Sequence, residues 1–104
     1  MAAPFKIIYD LQVRDHLNAI DKKYLALIKF KIEEQLLFEP NIETRNRKPL
    51  TKPPIDQKWE LRFGPSNNFR VFYRTEVEKM EVWILAICEK KNGKLFIRER
   101  EIKL

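Results

Sequence analysis

Apolar positions change their period along this chain, and the changes mark its elements. Phe5 to Tyr9 is a short β-prone run, and Asp10 after it serves as a turn residue or N-cap for a first helix reaching about Ala19. Asp21 offers a second N-cap. Beyond it, Tyr24, Leu25, Leu27, Ile28, Ile32, Leu36 and Leu37 recur at spacings of three and four, one side of a helix, with Lys22, Lys23, Lys29, Glu33 and Glu34 opposite. Pro40 cannot continue a helix and disfavours the helical conformation at Glu39, so this helix is expected to end near Phe38.

Pro49, Pro53 and Pro54 lie between Asn41 and Gln57, and with a dense set of cations they predict an extended loop rather than a strand. A connection of that length is usually functional or mobile. Strict alternation then begins. Trp59, Leu61 and Phe63 point one way and Lys58, Glu60 and Arg62 the other, and Phe69 to Arg74 repeats the pattern after the turn-forming Gly64 to Asn68. The two arms read as a β-hairpin with Arg62 and Arg70 on one surface. Glu76 to Lys79 forms another turn, and the unbroken apolar run Val82 to Ile87 predicts a central strand covered on both faces. Asn92-Gly93 signals a hairpin into Leu95-Phe96-Ile97. A leading strand, two helices and a strand-rich second half give an α+β architecture, with the helices on one face of a mainly antiparallel sheet and the other face partly free.

The chain has 104 residues, and 44% of them are hydrophobic. That suits one domain, spanning 1–104, with a single core. Its formal charge of +6 favours phosphate-rich partners, although solubility alone would account for the same sign. Cys88 is the lone cysteine, which leaves no intramolecular disulfide and no cysteine-rich zinc site and fits a reducing compartment. Met1 to Lys6 lacks signal-peptide character and no window is long enough to span a bilayer, so a cytoplasmic protein is expected.

The candidate chemistry is cationic. RNA cleavage without a metal needs a proton acceptor, cations that hold the phosphate, and an acid for the leaving oxygen. Arg62 and Arg70 suit the phosphate because a planar guanidinium donates two parallel hydrogen bonds. Lys90 and Lys91 follow the central strand toward the same surface, or simply guard its end. Arg45, Arg47, Lys48, Lys52 and Lys58 would line an RNA track upstream, with Arg74 beyond the hairpin. Phe72 falls by parity on the face of Arg70 and Arg74, where it could stack a base. Glu60 is a candidate base, with an ordinary ion pair as its alternative. His16 reads as a surface residue and Cys88 as a packed thiol. Metal-ligand spacing and glycine-rich phosphate loops are absent, so no cofactor is expected.

Lys48-Pro49-Leu50, then Trp59-Glu60-Leu61-Arg62, a turn, Phe69-Arg70-Val71-Phe72-Tyr73 and the run Val82 to Ile87 together resemble the RelE/ParE superfamily of bacterial toxins. A leading strand and two antiparallel helices match as well. The resemblance implies a toxin held inactive by a cognate antitoxin, as a hetero-oligomer or with a homodimer. RelE-like members cut messenger RNA in the ribosomal A site, whereas ParE-like members poison DNA gyrase. By position, Arg70 matches the arginine on the scissile phosphate, Arg62 a basic residue of the preceding strand, and Lys90 a basic residue after the central strand. Phe96 stands near the C-terminal tyrosine of RelE-like enzymes and lacks its hydroxyl. The resemblance therefore points to a ribosome-dependent mRNA endonuclease. A gyrase inhibitor, or a catalytically silent module binding antitoxin or RNA, is the alternative.

Overall fold

The computed structural model describes residues 3–50, 58–98 and 100–102. Strand β1 (Lys6–Tyr9) leads into helix α1 (Val13–Asn18), a 3-10 turn at Lys22–Tyr24 and helix α2 (Leu25–Leu36). Strands β2 (Arg47–Leu50), β3 (Lys58–Phe63), β4 (Phe69–Glu76), β5 (Glu81–Lys91), β6 (Lys94–Ile97) and β7 (Arg100–Ile102) follow. They pair in chain order as antiparallel neighbours, and β1 joins parallel to β5 to complete a seven-stranded sheet. This is the expected α+β arrangement.

The Asp21 carboxylate accepts a hydrogen bond from the Lys23 N–H and caps the 3-10 turn that leads into helix α2, which stops two residues before the expected end, with Leu37 closing its last turn. Ile28, Ile32 and Leu36, four residues apart, are its buried stripe, and they share one core with Val13 of α1 and with Leu61, Val71, Tyr73, Val82 and Ile84 of the sheet. At the helix exit the Pro40 carbonyl accepts the buried Tyr73 hydroxyl at 2.6 Å. Desolvation raises the Tyr73 pKa, so this hydroxyl stays protonated and keeps donating.

Two expectations change. A strand, β2, takes up Arg47–Leu50 of the proline-marked segment, with Pro49 opposite Trp59, while Pro53 and Pro54 lie outside the described residues. Among the described residues β2 is the marginal strand of the sheet and is paired on one side, and Pro49 is tolerated there. The apolar run of β5 is not covered on both faces: Val82, Ile84 and Ile87 are fully buried, whereas Trp83, Leu85 and Ala86 are half-buried. A bulge between Phe72 and Tyr73, opposite Ala86 and Ile84, leaves Leu85 unpaired and shifts the parity of the strand. Hence Ala86 and Cys88 face outward and Ile87 inward.

Strands β1 and β6 pair with different stretches of β5, the first at Glu81–Ile84 and the second at Glu89–Lys91. Helix α1 fills the gap between them. The Gln12 amide donates to the Leu85 carbonyl at 3.0 Å, and Nδ1 of His16 accepts the Ile87 N–H at 3.2 Å. His16 is accordingly buried, not the surface residue that its isolation in the sequence implied. A polar side chain is needed because a strand left half-paired has backbone groups to satisfy.

Candidate functional site

The face of the sheet turned away from the helices carries the cations. Arg62 of β3 and Arg70 of β4 are direct cross-strand partners, and Cys88 of β5 continues the row. One residue-pair along, Lys48, Glu60, Phe72 and Ala86 form the next row. Directly opposed residues share a face, so one carboxylate lies among Arg62, Arg70 and Lys48.

Glu60 sets the geometry. Its side chain is 3% exposed, and its Oε1 accepts from Nε of Arg62 and, at 3.4 Å, from Nη1 of Arg70. Arg70 is 11% exposed and Arg62 34%. Arg70 also donates from Nε to the Asn67 carbonyl at 3.5 Å. Both contacts of Arg70 among the described residues are long, and Glu60 engages Arg62 more closely than Arg70. Its pKa is lowered by burial first and by Arg62 second, with Glu60 and Cys88 opposing.

The backbone around this pair is clamped by Asn46, which sequence reasoning passed over, and by Asn68, which it read only as part of a turn. Arg62 donates its N–H to the Asn46 carbonyl at 2.8 Å, and the Asn46 amide donates to the Arg62 carbonyl at 2.9 Å. The Asn68 carbonyl accepts the Lys90 N–H at 2.6 Å. Asn67 and Asn68 belong to the turn opened by Gly64, whose φ of +87° suits glycine. Residue type does not announce the contacts of the Asn46 and Asn68 main-chain oxygens, since any residue carries the same carbonyl.

The remaining predicted residues divide. Lys90 is exposed and lies two positions beyond Cys88 on the same face. Lys48 and Arg45 are exposed and Lys58 is half-buried. Arg74 lies farther along that face, with its guanidinium 4.9 Å from the centre of the Trp83 ring and paired with Glu76. Lys52 lies outside the described residues.

Three RNA-track assignments are corrected. Arg47 is buried opposite Leu61 on the core side and donates to the Gln35 carbonyl at the end of α2, where a cation complements the helix dipole. Lys91 alternates away from Lys90 and pairs with Glu89 at 3.7 Å. Phe72 does lie on the outer face, but at 8% exposure it is buried there and offers too little surface to stack a base. As for proton transfer, Phe96 sits opposite Glu89, which is itself opposite the core residue Phe69, so Phe96 faces the helix side. Burial, then Glu60, pushes the Cys88 thiol up to about 12, and it stays a packed thiol. Glu60 is engaged by two guanidinium groups, the ion-pair alternative of the two readings considered for it. Among the described residues no three His, Cys, Asp or Glu side chains gather as a metal-ligand group.

No protein-family model and no curated sequence matches the chain. Solved structures do. The RelBE2 toxin-antitoxin complex from Mycobacterium tuberculosis aligns with a TM-score of 0.72 and 23% identity, covering 86% of this chain and 95% of the other. The isolated E. coli RelE toxin aligns with a TM-score of 0.64 and 16% identity, covering 85% of this chain and 86% of the other. This chain has the RelE-like toxin fold.

Proposed function

We propose that this protein is the toxin of a toxin–antitoxin pair and that it arrests translation by cutting messenger RNA on the ribosome. The observation that carries the reading is the placement of Arg62 and Arg70 as cross-strand partners on the sheet face that the helices leave uncovered. With Lys48 and Lys90 on the same side, an RNA phosphate meets donors from four strands. Their part in the chemistry is electrostatic: guanidinium and ammonium groups at the edge of a low-dielectric sheet stabilise the charge that develops on a phosphate under attack by a neighbouring 2′-hydroxyl.

The partner in this reading is a cognate antitoxin, a protein with an apolar face. Leu11 is almost wholly exposed, and beside it Tyr9, Leu17, Leu25 and Ile28 line a shallow apolar hollow of about 290 Å³ on the helix side. A complex that covers this hollow and the cations would hold the toxin silent.

A second reading has its own support. Glu60 is occupied by two cations and Phe96 faces the helix side, which favours a toxin that grips its target without cleaving it, whether RNA or DNA gyrase. Expression without the antitoxin separates the readings. New 5′ ends in messages, with arrested translation, support the nuclease. Intact messages with a DNA-damage response favour gyrase. An Arg70→Ala chain should lose toxicity and still bind antitoxin; if full toxicity persists, the cationic face is not the site.

A further inference from the structure

Arg70 is held in an unusual balance. Its guanidinium has five N–H donors and is nearly buried, and among the described residues its hydrogen bonds are the 3.4 Å contact to Glu60 and the 3.5 Å contact to the Asn67 carbonyl. Arg62, more exposed, makes the closer contact to the same Glu60 oxygen. The carboxylate is thus primarily the partner of Arg62 and only loosely that of Arg70. A cation largely removed from water and held by long contacts gains when an acceptor that can approach more closely arrives. Lys48, Arg62 and Lys90 surround the approach, so the arriving group is an anion.

We infer that Glu60 is a resident counter-anion standing in for phosphate: it holds Arg62 and Arg70 ready, and Arg70 exchanges it for a phosphate of the bound polyanion. This rests on the proposed RNA-binding reading and adds to it how the site is kept stable when empty. Two guanidinium groups facing each other across adjacent strands repel, and a buried carboxylate between them removes that repulsion. The exchange also sets a threshold. An incoming phosphate must outcompete an anion already at high effective concentration, which favours chains of phosphates over single small anions.

Fluorescence anisotropy measures this with two probes, a short 2′-O-methyl RNA that cannot be cleaved and inorganic tripolyphosphate as competitor. Glu60→Gln keeps the shape and an acceptor oxygen but removes the charge, and it should bind the RNA about tenfold more tightly, because a unit charge a few ångströms away in a partly screened site is worth about that much. Glu78→Gln, which removes an exposed carboxylate elsewhere, should gain far less. In an Arg70→Ala background the gain from Glu60→Gln should disappear, since no exchange remains. Equal gains from Glu60→Gln and Glu78→Gln, or a gain that survives without Arg70, would overturn the inference.

Should Glu60→Gln unfold, the wild-type chain still decides. The Nε–Hε resonance of Arg70 should move as either probe is added, with that of Arg47, buried on the other face, unmoved. An unmoved Arg70 signal at saturation overturns the exchange. If tripolyphosphate shifts Arg70 and RNA does not bind, the exchange stands and RNA is the wrong polyanion. If neither probe binds, the exchange is wrong, and toxicity upon expression decides the proposed function independently.

Discussion

Arg62 and Arg70 face each other across β3 and β4, and both donate to one oxygen of Glu60. Arg62 turns partly to solvent and Arg70 inward, so substituting each by lysine should have different consequences. Arg70→Lys has a single ammonium where a planar fork reaches both Glu60 and the Asn67 carbonyl, and it should lose at least about tenfold in RNA affinity. Arg62→Lys should lose less. Equal losses in parallel binding titrations would show that the fork geometry at Arg70 is unimportant.

Arg47 and Lys48 are sequence neighbours on opposite faces of β2, and they should separate stability from binding. Arg47→Met leaves the Gln35 carbonyl without its donor, at a cost of about 1–3 kcal/mol in urea unfolding and with RNA affinity unaltered. Lys48→Ala should do the reverse, staying within about 0.5 kcal/mol of wild-type stability while binding RNA more weakly. A binding loss in the first variant would return Arg47 to the interface.

His16 makes stability depend on pH. Burial first, and Arg98 second, hold its pKa below the ordinary value, partly offset by Asp15, and Nδ1 accepts the Ile87 N–H while the ring is neutral. The unfolded chain takes up a proton near about pH 6.5, and the folded chain only at lower pH. This stabilisation is therefore complete above the unfolded value and is lost as pH falls from there through the folded one. The urea midpoint should drop between pH 7.5 and 5.5, and His16→Asn, which keeps an acceptor in the Nδ1 position without titrating, should flatten that drop. Identical pH profiles for the two proteins would remove His16 as the cause.

Gly64 supports the turn beneath the cations. A Cβ there would lie 2.7 Å from the Phe69 ring and 2.7 Å from Oδ1 of Asn68, at a φ that side chains rarely adopt. Gly64→Ala should cost about 1–3 kcal/mol in thermal unfolding. Asn67 and Asn68 also hold Arg70 and Lys90, so RNA affinity should fall with it. An unchanged melting temperature would mean that the turn relaxes freely.

Much of this arrangement could be read locally. The i, i+4 stripe of α2, the Asp21 cap and the alternation of both hairpin arms are short-range properties, and they located the helices and the shared face of Arg62 and Arg70. Strand β2 was hidden because proline propensity argues against a strand, and only the position of Pro49 at the sheet margin removes the penalty. His16 was hidden for a related reason, since a lone histidine gives no local sign that a strand 71 positions away needs an acceptor.

Sequence alone determined the order and type of most elements, the cationic excess and which hairpin residues share a face, because these follow from helical and extended periodicity and from charge. Tertiary structure decided which cations are free to act. Arg47 and Arg62 look alike in the chain, yet one is buried against the end of a helix and the other turns partly to solvent on the opposite sheet face. Glu60 becomes the common anion of two arginines only when β3 and β4 pair in this register. Burial and long-range pairing are properties of packing, and no local pattern encodes them.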